Sequence, residues 1–178
     1  ILDDMDIDAS QKAEICSLTE SKNFAALSDL LSTIGDTVQT RVLNTLPRLF
    51  GGREVLKQAK QLYSSEKSDA ALDYLGNIYQ KLCEMGHGDN VLIDLGLVNR
   101  TNYYTGVIFR GYAEGSGVSV LSGGRYDNLI GKFGLDAPAI GFAVDINALF
   151  DVMHEVINVE RPLRIALTKG RLEKSSVK

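Results

Sequence analysis

The stretch that decides the fold is residues 102–131, NYYTGVIFRGYAEGSGVSVLSGGRYDNLIG. A tyrosine pair and a glycine open it. Alternation then sets Val107 and Phe109 on one face and Ile108, Arg110 and Tyr112 on the other, which is the period of a strand. Glu114 to Gly117 is a small-residue turn of the kind that joins hairpin strands, because glycine takes positive φ at little cost. A second strand is expected over Val118 to Leu121, ending on Gly123 and Gly124 ahead of Arg125, Tyr126 and Asp127. Without a Cβ, a glycine pair at a strand end lets another backbone or a ligand come close. Phenols, a guanidinium and bare amides thus gather at one end of a hairpin, a setting that suits a small zwitterion. The same residues also suit an ordinary hairpin with aromatic cross-strand packing.

Upstream, residues 1 to about 86 read as helices. Ala13, Ile15, Cys16 and Leu18 suggest a first short one. Ser21 is the expected cap of a second, with Phe24, Leu27, Leu30, Leu31 and Ile34 at helical spacing and Gly35 as the stop. Asp36 or Thr37 caps a third, with Pro47 placed to end it. Gly51 and Gly52 break the pattern before a shorter helix with Val55, Leu56, Ala59 and Leu62. Ser68 or Asp69 is the expected cap of the last, which runs through Leu72, Leu75, Ile78, Tyr79 and Leu82 to Gly86. This half holds no paired carboxylates in an apolar setting, and His87 reads as a solvated loop residue.

At Asn90 the period changes. Residues 91–98, VLIDLGLV, are an apolar run of strand length with Asp94 as the charged member. Downstream of the hairpin, Tyr126 to Phe133 reads as a short helix and loop. Pro138 to Val144 reads as another strand, and Asp145 caps a helix to about Val156, with His154 on its solvated side. Helices first and strands after make the fold α+β, a mostly antiparallel sheet with a helix against it.

The bulk numbers narrow the function. A net charge of −4 and a pI near 5.2 argue against a dedicated nucleic-acid binder. Cys16 and Cys83 stand far apart in helical patterns and read as reduced core thiols, which suits the cytosol. No apolar run reaches membrane-spanning length, and no metal-ligand spacing is present. The chain opens on ILDDMD and closes on RLEKSSVK, so a piece of a longer protein is expected.

Three motifs in order carry a resemblance. VNRTNYYTG (98–106), SGGRYDNLIGKFG (122–134) and PAIGFAVDINAL (138–149) resemble the histidyl-tRNA synthetase family, with its RGLDYYTG, (A/S)GGRYD and motif 3 GFAxGLERL segments. The match is good over about 89–156. It implies the C-terminal part of a class II aminoacyl-tRNA synthetase-like antiparallel-sheet domain (89–158), with 1–88 similar to the family's helical insertion. The residues it implies for a histidine pocket are Tyr103, Tyr104, Thr105, Gly123, Gly124, Arg125, Tyr126 and Gly141. In a regular strand Tyr103 and Tyr104 would face opposite ways, so only one would meet a ligand directly. Arg125 is equally suited to a ligand or to a salt bridge with Asp127, and Gly141 to the pocket floor or to plain packing.

The departures decide the activity implied. The arginine that opens RGLDYYTG is Asn99 here, and Arg100 stands one residue on. The motif's aspartate is Asn102. In motif 3 the ATP-gripping arginine is Ala148, and the glutamate before it is Asn147. An amide or a methyl cannot replace a guanidinium at a phosphate. Such a loss typically costs a few kcal/mol of transition-state stabilisation, so two should abolish adenylate formation.

A synthetase-like fold that keeps the histidine motifs and loses the ATP arginines resembles the regulatory subunits of ATP phosphoribosyltransferase. The resemblance implies a non-catalytic subunit that needs no cofactor or metal and acts in the cytoplasm on the first step of histidine biosynthesis. It implies a catalytic subunit as partner, histidine as allosteric ligand and self-association, with neither nucleic acid nor membrane as target. The alternatives are a fragment of a divergent histidyl-tRNA synthetase, or an interaction module whose pocket stays empty. Residues 159–178 resemble the opening of the ATP phosphoribosyltransferase catalytic chain itself, with Lys169 and Arg171 as phosphate contacts only if that domain were complete. A fusion is expected, against the alternative that Leu163 to Leu167 is an edge strand.

Overall fold

The computed structural model describes residues 1–98 and 103–156, the side chains of 154–156 excepted. Asn99, Arg100, Asn102, the side chain of His154 and the 159–178 tail with Lys169 and Arg171 lie outside the described residues. Contacts divide the chain into two units. One is Ile1–Phe109 with Gly123–Phe142, and the other is Arg110–Ser122 with the chain from Ala143 on.

The first unit begins with helices α1 (Ala9–Glu20), α2 (Phe24–Ile34) and α3 (Val38–Thr45). Asp8 and Thr37 cap α1 and α3 in reciprocal capping boxes, each satisfying an otherwise orphan amide. The cap expected at Ser21 lies at Asn23, whose side chain accepts from the Ala26 amide 3.3 Å away. Ser21 instead closes α1, its hydroxyl donating back to the Ser17 carbonyl at 2.9 Å. Lys22 bridges the two helices at φ 54°. Ile15, Leu27, Leu31 and Leu43 form the core of this bundle. Pro47 ends α3 by turning the chain through the 3-10 segment Leu46–Arg48, since it has no amide to extend the ladder.

Helices α4 (Glu54–Leu62) and α5 (Glu66–Glu84) follow. Ser65 caps α5, not Ser68 or Asp69. Ser68 completes the box from the third helical position, and the Asp69 carboxylate accepts from the Ser64 hydroxyl at 2.7 Å. Gly86, at φ 84°, supplies the left-handed turn after the helix. His87 is exposed, and Cys16 and Cys83 are half-buried, not inside the cores expected for them. Val55, Leu56 and Ile93 form a second core under α4 and α5, with Leu49, Leu72, Leu75 and Tyr79 packed on it.

The strand expected over 91–98 is two residues long. β2 (Ile93–Asp94) pairs antiparallel with β1 (Phe50–Gly51). The Asp94 carboxylate accepts from the Gly96 amide at 2.8 Å and its carbonyl from the Leu97 amide at 3.3 Å, so the chain turns where the apolar run would have continued.

The remaining strands, β3 (Ile108–Gly111), β4 (Leu121–Arg125) and β5 (Ile140–Val144), form a sheet in the order β3-β4-β5. Each strand contributes residues to both units. The second hairpin strand therefore lies later than Val118–Leu121, and Gly123 and Gly124 sit inside it. Gly115 turns at φ 83°, Ser116 bonds to the Val118 carbonyl at 2.7 Å, and the ladder resumes with the Val120 amide on Gly111 at 2.9 Å. Local serine bonding thus takes the residues that alternation had assigned to strand. Between β4 and β5 the amides of Tyr126 and Asp145 bond the carbonyls of Ala139 and Val120, the antiparallel pattern. Helix α6 (Asp127–Gly131) links them. Asp145 caps α7 (Ile146–Val156), its carboxylate accepting from the amides of Asn147 at 3.0 Å and Ala148 at 3.1 Å.

Candidate functional site

The site is built on the two glycines within β4. A Cβ on Gly124 would stand 2.7 Å from two ring carbons of Tyr104 and 2.8 Å from the Val107 carbonyl oxygen. The tyrosine ring therefore lies directly on the bare backbone. A Cβ on Gly123 would meet Phe142 Cβ at 2.7 Å and Phe109 Cζ at 2.8 Å on the opposite face of the strand. Gly141 plays the same part for Tyr126, whose ring carbons come within 3.2 Å of the position its Cβ would take. Each glycine is required by an aromatic ring that approaches the backbone.

Tyr103, Tyr104 and Tyr126 form one cluster. The ring centroids of Tyr103 and Tyr104 are 4.2 Å apart, and Tyr126 stands edge-on to Tyr103 at 6.0 Å and tilted to Tyr104 at 6.5 Å. The expectation that the tyrosine pair faces opposite ways is overturned. Residues 103–107 precede β3 and do not carry its pleat, so the two-residue period does not apply to them. Tyr103 is 39% exposed at the edge of the cluster. A hydrogen bond with Tyr103, then burial, pushes the Tyr104 phenol above its ordinary value, so it stays neutral.

Arg125 ties the rest together. Its Nε lies 3.0 and 2.8 Å from the two carboxylate oxygens of Asp127, the salt bridge weighed for it from sequence. Its Nη1 donates to the Tyr74 hydroxyl of α5 at 3.0 Å. The Tyr74 contact, and after it Asp127, hold the guanidinium firmly charged. Its aliphatic stem covers Gly106, where a Cβ would meet Cδ at 3.1 Å. Asp127 in turn donates its amide to Thr105 Oγ1 at 3.0 Å and accepts from the Ala139 amide at 3.0 Å. Backbone bonds from Thr105 to the Arg125 carbonyl (2.8 Å) and from Arg125 to the Val107 carbonyl (2.9 Å) close the frame.

The eight expected pocket residues Tyr103, Tyr104, Thr105, Gly123, Gly124, Arg125, Tyr126 and Gly141 thus fall into one hydrogen-bonded and ring-packed assembly in the first unit. Tyr74 is the member that sequence reasoning missed. It sits 51 residues before Arg125 on a helix whose apolar spacing is explained by the core, and only its exposure as an aromatic sets it apart. Phenols, aromatic faces and a paired guanidinium can hold a planar polar ring. Among the described residues no group of three acidic, histidine or cysteine side chains could hold a metal ion. In the second unit, Ala148 is 7% exposed at the start of α7, a buried methyl.

Helices followed by an antiparallel sheet that carries the tyrosine and glycine motifs define a class II aminoacyl-tRNA synthetase-type domain of α+β class. The chain belongs to the histidyl-tRNA synthetase family, whose model matches residues 1–149. It is 40% identical over 161 residues to the ATP phosphoribosyltransferase regulatory subunit of Clostridium acetobutylicum, covering 88% of this chain and 39% of that relative. The regulatory subunit of the same name from Bacillus cereus is 43% identical over 141 residues, covering 76% of this chain and 33% of the relative. A crystal structure titled ATP phosphoribosyltransferase regulatory subunit/histidyl-tRNA synthetase, from Bacillus halodurans, superposes with a TM-score of 0.75 at 34% identity, over 83% of this chain and 39% of that one. Histidyl-tRNA synthetase from Nostoc gives 0.67 at 25% identity, over 85% and 38%. The chain spans well under half the length of these relatives.

Proposed function

We propose that this chain is part of a non-catalytic regulatory subunit of ATP phosphoribosyltransferase, whose tyrosine pocket takes histidine as the feedback signal of histidine biosynthesis. The observation that carries the reading is the contrast between two motifs. The tyrosine and glycine residues are brought together and hydrogen-bonded, whereas Ala148, which the motif resemblance sets against an ATP-gripping arginine, is only 7% exposed with its amide on Asp145. A methyl offers a phosphate neither charge nor a forked donor. The names of the relatives from Clostridium and Bacillus support it.

In this reading the protein works in the cytoplasm, assembles with the catalytic subunit and with copies of itself, and needs no cofactor. None of the described helices is long and apolar enough to cross a membrane. Histidine can change the partner's activity only by binding two assembly states with different affinity. The aromatic faces of Tyr103 and Tyr126 suit an imidazole, and Thr105 and the strand backbone lie beside them. Calorimetry on the full-length protein tests the reading. Histidine binding without ATP–pyrophosphate exchange is the expected result, and measurable exchange overturns it. That outcome would favour the second reading, a divergent histidyl-tRNA synthetase, which the name of the family model and the composite title of the Bacillus halodurans structure keep in view.

A further inference from the structure

We infer that Tyr74 is a positioning residue through which helix α5 controls the geometry of the tyrosine pocket. The inference deepens the histidine reading above and rests on it only for the identity of the ligand. One guanidinium makes the connection. Arg125 Nη1 donates to the Tyr74 hydroxyl at 3.0 Å, while Nε is held on both oxygens of Asp127 at 3.0 and 2.8 Å. Three pocket segments hang on that side chain. Its stem lies over Gly106, Asp127 bonds the Thr105 hydroxyl through its amide, and the same carboxylate receives the Ala139 amide ahead of β5.

The arrangement has a direction. Asp127 and Thr105 belong to the pocket and hold Arg125 from within. Tyr74 is the contact from α5, from a helix otherwise anchored in the core by Leu72, Leu75 and Tyr79. A shift of α5 that draws the hydroxyl beyond hydrogen-bond reach leaves Nη1 to solvent and lets the stem swing off Gly106. The loop 103–106 then loses a wall. Coupling between two sites needs an element that both contact, and here that element is a single planar donor with its two faces of contact fixed in orientation. Reciprocity follows: a ligand that fixes Arg125 strengthens its hold on Tyr74 and steadies α5.

Tyr74→Phe in the full-length protein tests this, because it removes the hydroxyl and keeps the ring. Hydrogen exchange is read on the amides of Thr105, Arg125 and Asp127, with and without histidine, beside a thermal melt. In ligand-free Tyr74→Phe these three amides are expected to exchange about three- to tenfold faster, the factor for losing one hydrogen bond of ordinary net strength at a partly exposed position. The amides of α1 to α3 and the melting temperature are expected to stay unchanged, and Arg125→Lys to show the same local pattern. A uniform rise across the chain would make Tyr74 merely structural and overturn the inference, as would unchanged exchange at the three amides. Histidine is expected to slow exchange in α5 of the wild type and not of Tyr74→Phe. If the local loosening occurs while the wild type binds no histidine, the link through Tyr74 stands and the histidine reading falls.

Discussion

Lys22 Nζ lies 2.9 Å from both carboxylate oxygens of Asp94, 72 residues further along the chain. The pair fastens the turn between α1 and α2 to the segment that leads into the tyrosine motif. Lys22 also holds φ 54°, a left-handed region that non-glycine residues seldom enter, at the turn between the two helices. With 44% and 24% of the two side chains exposed, solvent screens the pair and its coupling is expected at about 0.5–1 kcal/mol. Asp94 also accepts from the Gly96 amide, so Asp94→Ala is expected to cost roughly 1–2 kcal/mol, more than Lys22→Ala. A double-mutant cycle by thermal melting checks the order; equal costs would show that the Gly96 bond contributes nothing.

The glycines of the site give a sharper contrast. Gly124→Ala drives a methyl into the Tyr104 ring at 2.7 Å and the Val107 carbonyl at 2.8 Å, and backbone cannot step aside as a flexible side chain can. Overpacking of this kind costs about 1–3 kcal/mol, and each kcal/mol lowers Tm by roughly 2–4 °C in a chain of this size. Gly131→Ala is the control. Nothing lies within 4 Å of its Cβ position, and alanine in α6 is expected to be neutral or to stabilise by up to about 1 kcal/mol. Melting curves of the two variants should move in opposite directions or differ by several degrees.

The helix ends show how far sequence reading reaches. Five helical segments with their apolar faces were visible upstream because helical spacing is written in the residues that fill the two cores. Their caps were misplaced by two to four residues at Asn23 and Ser65, since serine, aspartate and asparagine cluster at those ends and only the backbone selects among them. The length of β4 was hidden for a similar reason: its glycines looked like a strand end, and the rings of Tyr104 and Phe109 that make glycine necessary come from elsewhere in the chain. The pairing of Tyr103 with Tyr104 was misjudged by extending a two-residue period into a segment outside the strand. The Arg125–Tyr74 bond carried no local signal at all, because nothing in a helix marks which exposed aromatic will meet a guanidinium.

Two phenols should titrate late. Tyr104 is raised by its hydrogen bond with Tyr103 and by burial, and Tyr79 mainly by burial, then by Cys83. A raised phenol favours the neutral form in the folded state. Its contribution to stability is therefore intact below the unfolded value of 10.0 and is lost as pH rises from there through the folded value. Ultraviolet titration is expected to show a late tyrosine fraction, part of which moves back toward the ordinary range in Tyr103→Phe. An unchanged late fraction in that variant would mean that burial alone holds Tyr104.

Within the first unit Phe133, Ile140 and Phe142 are 83%, 64% and 67% exposed. Ile140 and Phe142, two residues apart on β5, share one face of the strand, and exposed apolar residues of this kind attract other apolar surface, so the isolated chain is expected to self-associate at micromolar concentration and to bind an apolar dye. Phe142→Lys should weaken both, and should change stability by only about 0.5 kcal/mol because most of the ring is already in water. Sedimentation velocity as a function of concentration reads the effect; identical profiles for the two proteins would place the association elsewhere.

Ala148 allows the loss of ATP chemistry to be tested by partial restoration. Ala148→Arg in the full-length protein returns a guanidinium to the position that grips ATP in the family pattern, but Asn99 still stands where that pattern has its second arginine. A single missing donor at such a site costs about 3–4 kcal/mol, a factor of 10²–10³ in rate. Ala148→Arg alone is thus expected to leave ATP–pyrophosphate exchange undetectable. Histidine affinity is expected to fall less than threefold, and a thermal melt checks that the arginine, set where the methyl is only 7% exposed, leaves the protein folded. Calorimetry and an exchange assay on the same preparation read both quantities. Robust exchange from the single variant would show that the position of Asn99 is not needed for the chemistry, and would move the protein toward the synthetase reading.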